Sequence, residues 1–150
     1  ECQVVGYEHE GYVGRIASVK TYFDLNHDML DKDVRYDLFN PDFPMYTKVA
    51  DAPPTRFGST CDVDNSLFGN GCRVDGHVKD SVVFRGVQIA EGADVENCII
   101  MQNTRIGTGA KLRNVIIDKD VEVEPGARVL SVPYDPAIIR KRTVISGGDA

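Results

Sequence analysis

Between Val63 and Val129 the apolar residues fall at positions 63, 68, 74, 78, 83, 89, 95, 100, 106, 112, 117, 123 and 129. The steps are 5, 6, 4, 5, 6, 6, 5, 6, 6, 5, 6 and 6. From Val78 onward that is a five-six-six cycle, a repeat of 17 residues. Neither the 3.6 period of a helix nor the 2 period of one amphipathic strand produces such steps. They predict a coil with three flat sides, each turning one aliphatic residue inward before a corner. A small residue two places earlier recurs with them: Cys61, Cys72, Ser81, Ala93, Cys98, Thr104, Ala110 and Ala127. It is expected inside too, where a large side chain would overfill the corner. Whole phrases keep the interval: Glu96-Asn97-Cys98-Ile99-Ile100 returns as Arg113-Asn114-Val115-Ile116-Ile117. The expected architecture is a parallel β-helix of about four coils over 61–150, each coil burying its apolar face against its neighbours. Val78 should stack on Val95, Leu112 and Val129; Ile89 on Ile106 and Val123; Val83 on Ile100 and Ile117. Glycines 92, 107, 109 and 126 sit near turns, where positive φ carries no steric cost.

The chain before the array reads differently. β-branched and aromatic residues on both sides of Glu8–Gly11 predict two short strands over 3–16. Ser18 suits a helix N-cap, and Val19, Tyr22, Phe23, Leu25, Met29 and Leu30 form a helical stripe to about Asp31. From Asp33 to Ser59, Asn40-Pro41, Phe43-Pro44 and Pro53-Pro54 read as loop. The expected organisation is an α/β piece over 1–33, a connector over 34–60 and the array. Ser131–Pro136 interrupts the repeat, Ile138-Ile139 and Val144-Ile145 read as a last strand pair, and 147–150 as a frayed end. Because it opens on Glu1-Cys2 in what reads as mid-strand, the chain is expected to be a piece of a longer protein.

Composition narrows the function classes. A net charge of −6 argues against nucleic-acid binding, which needs a basic face. No apolar run approaches the roughly 20 residues of a membrane span, and no signal peptide is expected. Four cysteines without CxxC spacing, two of them on inward positions (Cys72 and Cys98), favour buried free thiols over a disulfide framework.

In Gly11-Tyr12-Val13-Gly14-Arg15-Ile16-Ala17-Ser18, Leu25-Asn26-His27-Asp28-Met29-Leu30, the Pro53-Pro54 connector, and the Asn97–Met101 and Asn114–Asp118 phrases, spread over nearly its whole length, the chain resembles the C-terminal part of bacterial glucose-1-phosphate adenylyltransferase (ADP-glucose pyrophosphorylase). The resemblance implies a left-handed winding, which spacing cannot give, and a 1–33 segment left from a nucleotidyltransferase domain. Catalytic members carry a magnesium-holding Asp where Arg15 stands here. A guanidinium cannot ligate a cation. The wording around Arg15 resembles the GlgD-type subunit, which implies a non-catalytic, cytoplasmic chain in a hetero-oligomer, a tetramer, with a catalytic GlgC-type partner. No cofactor is expected within these 150 residues; Mg²⁺ belongs to the parent family's reaction. By the same resemblance a sugar-phosphate effector would meet Lys119, with Arg113 second and Arg140, Lys141 and Arg142 weaker.

Rival readings fare less well. A hexapeptide-repeat acyltransferase would use His77 as its base, yet no long loop or lysine-rich tail accompanies it. A zinc site needs three array histidines, and only His77 is there. Asp24–Asp28 resembles a calcium loop but has Met29 and Arg35 where Gly and an acid are required. A purely structural oligomerisation module remains open, because an open β-helix has edges and faces to cover.

Overall fold

The computed structural model describes residues 2–42, 44–46 and 51–147. Phe43 of the Phe43-Pro44 break and the expected frayed end at 148–150 lie outside the described residues. The first turn of the array is β1 (Arg56–Phe57), β2 (Asp62–Asp64) and β3 (Leu67–Phe68). The second is β4 (Arg73–Val74), β5 (His77–Lys79) and β6 (Val82–Val83), and the third β7 (Gln88–Ile89), β8 (Asp94–Glu96) and β9 (Ile99–Ile100). The fourth is β10 (Arg105–Ile106), β11 (Lys111–Arg113) and β12 (Val115–Ile117), and the fifth β13 (Glu122–Val123), β14 (Arg128–Leu130) and β15 (Ala137–Ile139). β16 (Val144–Ile145) opens a sixth. Every third strand pairs in parallel, giving three sheets ordered β1-β4-β7-β10-β13-β16, β2-β5-β8-β11-β14 and β3-β6-β9-β12-β15. There are thus five coils, where four were expected.

The inward stacks follow the spacing. Val78, Val95, Leu112 and Val129 are register partners, as are Ile89, Ile106 and Val123, and Val83, Ile100 and Ile117. The small residues Cys72, Ser81, Ala93, Cys98, Thr104, Ala110 and Ala127 are buried beside them. Each aliphatic in this core contributes roughly 1.5–3 kcal/mol.

Corners need left-handed backbone, and the chain supplies it in columns. Between second and third sheets stand Asn65, Asp80, Asn97 and Asn114, with φ of 39, 47, 53 and 55°. Asn is among the few side chains that tolerate this region. The column is also bonded: Asn65 Nδ2 donates to Asp80 Oδ1 (2.6 Å), Asn97 Nδ2 to Asn114 Oδ1 and Asn114 Nδ2 to the Ser131 carbonyl. Gly92, Gly109 and Gly126 do take positive φ, as expected. Gly107 does not; its need is space, because a Cβ there would stand 2.5 Å from the Pro125 nitrogen.

Coil length varies. Register partners Val63 and Val78 are 15 residues apart, because the corner through Gly76 is two residues shorter; a Cβ on Gly76 would meet two carbonyl oxygens at 2.7 Å. Ile116 and Ile138 are 22 apart, the extra length falling in the Ser131–Pro136 corner that the broken repeat signalled, which is exposed over 132–135.

Three expectations for the leading segment need correction. Residues 3–16 form no strand: Val4, Val5, Tyr7, Val13 and Ile16 are exposed, with no neighbouring edge to pair with among the described residues. The stretch read as loop from Asp33 holds most of a second helix, α2 (Lys32–Leu38), N-capped by Asp31, whose carboxylate accepts from the Asp33 and Val34 amides. Strand β1 also lies inside the expected connector, so the array begins by Arg56. The first helix, α1 (Val19–Asp28), forms as expected, with Ser18 and Thr21 making a reciprocal capping box.

α1 lies on the outer face of the third sheet. That face is an aliphatic column, Leu67, Val82, Ile99, Ile116 and Ile138. Phe23 packs on Ile99 and Ile116, with Tyr22, Phe84 and Met101 around them. His27 fastens the other end of the helix, its ring nitrogens lying 2.9 Å from the Phe23 carbonyl and 3.1 Å from the Asp80 carbonyl. Ile138, beyond the reach of α1, stays half exposed. Among the described residues no helix is long and apolar enough to cross a membrane.

Candidate functional site

Lys119 sits where the chain leaves β12 for β13, at a corner between the third and first sheets. Asp118 fixes the turn: its Oδ1 accepts from the Lys119 amide at 2.7 Å. The next residue, Asp120, takes the left-handed φ of 57° and accepts from Asn103 Nδ2 at 3.2 Å. One coil later Arg142 occupies the equivalent place, with φ of 59°, and its amide donates to the Lys119 carbonyl at 3.1 Å. Lys141 Nζ lies 3.9 Å from Asp120. The corner therefore gathers Lys119, Lys141 and Arg142 with the carboxylates of Asp118 and Asp120, and Arg140 comes just before them. Among the described residues the Lys119 ammonium has no ion-pair partner. α1 comes close on the other side: burial raises the Tyr22 phenol above its ordinary value, opposed by the Asn26 hydrogen bond, with the Asp118 charge adding a lesser upward push. An exposed ammonium of this kind can hold a phosphate as a point charge.

Arg113 is elsewhere. It points outward at the end of β11 and pairs with Glu96 on β8. The two leading candidates are on different sides of the prism, and the structure does not bring them together. Arg15 is exposed in the irregular lead-in to α1. No group of three or more His, Cys, Asp or Glu side chains converges on a metal position among the described residues. A guanidinium such as that of Arg15 offers no donor pair to a cation.

The rival residues are occupied otherwise. His77 lies on β5 facing outward, its Nδ1 3.8 Å from Asp62 Oδ2. In the Asp24–Asp28 stretch Asp24 pairs with Lys20, Asn26 bonds the Tyr22 carbonyl and Asp28 accepts from the Tyr12 hydroxyl at 2.7 Å. Desolvation, with that carboxylate's hydrogen bond and charge, pushes the Tyr12 phenol up to about 12. All four cysteines are free; burial pushes the Cys98 thiol up to about 12, so it is inert.

A surface feature absent from the sequence reading is a groove of about 650 Å³ along the first sheet. The exposed column Arg73, Gln88, Arg105 and Glu122 forms its floor, and Asp75, Glu91 and Glu124 its margin. Arg73 Nε is held by Asp75 at 2.8 Å, and Arg105 is in register with Glu122. With four carboxylates to two guanidiniums the groove is not an anion site. Its only trace in the sequence is one polar residue before each inward aliphatic.

Residues 51–148 match the family model described as GlmU-like, C-terminal hexapeptide. The glycogen biosynthesis protein GlgD of Bacillus subtilis (strain 168) is 38% identical over 90 residues, 60% of this chain and 26% of that protein. GlgD of Geobacillus stearothermophilus is 49% identical over 68 residues, 45% of this chain and 20% of that protein. The glucose-1-phosphate adenylyltransferase of the same organism is 37% identical over 90 residues, 60% of this chain and 23% of the enzyme. The chain thus spans about a quarter of the length of these relatives. It belongs to the GlmU-like, C-terminal hexapeptide family, and its repeat region is homologous to that of GlgD and glucose-1-phosphate adenylyltransferase.

Proposed function

We propose that this chain is the β-helix region of a GlgD-type subunit, non-catalytic itself, that assembles with a catalytic GlgC-type subunit in a cytoplasmic hetero-tetramer and carries a sugar-phosphate response. The observation that carries the reading is the Lys119 corner, an ammonium without an ion-pair partner among the described residues, beside Arg142 and near Tyr22 of α1. The higher identity to GlgD of Geobacillus stearothermophilus than to that organism's adenylyltransferase, over a shorter stretch, supports the choice of subunit. In this reading the winding is left-handed, residues 1–33 belong with a nucleotidyltransferase domain, and Mg²⁺ acts on the catalytic partner. The exposed Val4, Val5, Tyr7, Val13, Ile16 and Tyr36 support a covered role for the leading segment, since apolar side chains gathered at a surface mark an interaction site.

The test is coexpression with a catalytic GlgC-type partner and measurement of ADP-glucose synthesis against added sugar phosphate. Lys119→Ala should weaken activation about tenfold while leaving assembly intact. Synthesis of ADP-glucose by this chain alone would refute the non-catalytic role, and unchanged activation in Lys119→Ala would remove the effector site.

A further inference from the structure

The outward side chains of the second sheet form two columns along the prism axis. Register places Asp62, His77, Asp94 and Lys111 in one, and Asp64, Lys79, Glu96 and Arg113 in the other. Strand by strand from β2 to β11 the sign runs negative, positive, negative, positive, with His77 contributing when protonated. All eight are exposed or half-buried; α1 lies on the third sheet, and α2 comes near only at the corner after β2, where Arg35 shares a pocket with Val63 and Asn65. Neighbours within a column already meet: Arg113 pairs with Glu96, and His77 approaches Asp62.

We propose that this face docks a second copy of the same chain, face to face, with the two prism axes antiparallel. A two-fold axis parallel to the strands, midway between β5 and β8, reverses the strand order. Asp62 then faces the partner's Lys111, Asp64 faces the partner's Arg113, and Lys79 faces the partner's Glu96, each pair occurring twice. The other two-fold, along the prism axis, sets β2 on β2 and opposes like charges throughout, so the charge pattern selects the antiparallel arrangement. A four-strand pattern of this kind is its own complement on reversal. A second copy carries that complement by identity, and an unrelated partner would have to match eight positions. Arg128 on β14 stands beside Lys111, like charge on like, and this fifth strand lies outside the overlap.

Four strands at about 4.8 Å spacing span only about 19 Å, so the face is smaller than the roughly 800 Å² per partner of a standard interface. Exposed ion pairs hold weakly and are screened by salt. The association is accordingly weak and ionic-strength dependent, a contact that sets orientation rather than one that locks an obligate dimer. The inference stands independently of the GlgD-type reading, since it uses only this face.

Sedimentation of the full chain at about 20 mM ionic strength should show a concentration-dependent dimer, with a dissociation constant at least about tenfold higher in 500 mM salt, where the Debye length is shorter. The charge-swapped chains Asp62→Lys/Asp64→Lys and Lys111→Asp/Arg113→Asp should each be monomeric. Their equimolar mixture should dimerise, because the reversed signs again oppose. A native chain that stays monomeric at low salt, an association insensitive to salt, a swapped chain that still self-associates, or a mixture that gains nothing overturns the proposal. Thermal melts verify that the variants fold. Should either swap fail to fold, Lys79→Gln and Glu96→Gln serve instead, each expected to weaken the dimer several-fold; unchanged association overturns the proposal.

Discussion

The five coils and the segment ahead of them bury their apolar residues by different means. In the prism each inward aliphatic is covered by its register partners above and below, so the core completes itself from within the repeat. Ile100, Leu112 and Ile117 are essentially inaccessible for this reason. The leading segment has only one such side chain among the described residues, Phe23, and it is covered by Ile99 and Ile116 of the prism, with Tyr22 and His27 of its own helix beside it. Val4, Val5, Tyr7, Val13 and Ile16 remain in solvent. Stability in this molecule is therefore concentrated in the repeat, and the helices depend on it.

Mutations can break that contrast in graded steps. Ile100→Ala should open a cavity between stacked coils and cost about 4 kcal/mol, seen as a large drop in the urea midpoint of the whole prism. Phe23→Ala should cost about 3 kcal/mol, but locally: hydrogen exchange in α1 should accelerate while the strands stay protected. Equal exchange in strands and helix would show that the two regions fold as one unit. At the corners, Asn114→Ala should cost about 2 kcal/mol from its left-handed backbone and broken ladder, and Asn114→Gly should recover the backbone part. Alkaline pH probes the core differently. Cys98 is neutral when folded, with its thiol raised from 9.0 to about 12, so the unfolded chain loses its proton first. Its contribution is fully present below pH 9 and is lost progressively as the pH rises towards 12. Cys98→Ala should flatten that part of the thermal-melt profile. Val4→Ser and Tyr7→Ser should change stability by less than about 0.5 kcal/mol, and a larger loss in melts would mean the leading segment is packed after all.

How much could be read from residues alone differs between the same regions. The stacks of Val78, Ile89 and Val83 were legible because a coil repeats one local rule, and a stacked neighbour is a fixed number of residues away. The short corner at Gly76 showed as a step of 4, and the Ser131–Pro136 corner as a break. The leading segment was misread where the answer depended on a neighbour. The β-prone residues of 3–16 have strand propensity but no partner edge among the described residues, and propensity alone does not make a sheet. α2 was missed because the prolines around it dominate the local signal, while its Asp31 cap is a single residue.

The candidate site divides in the same way. Lys119 and Arg113 were singled out as residues, but spacing could not place them on different sides of the prism or pair Arg113 with Glu96. The groove on the first sheet and the alternating charges on the second were invisible, since each is built from residues one coil apart that mean nothing singly. The amino-acid sequence by itself determined the three-sided coil, its inward residues and the capped helix, because those are set by periods and caps within one turn of chain. Tertiary structure decided which face α1 covers, where the array begins, and which outward side chains share a column, because those depend on the register and twist that stack one coil upon the next.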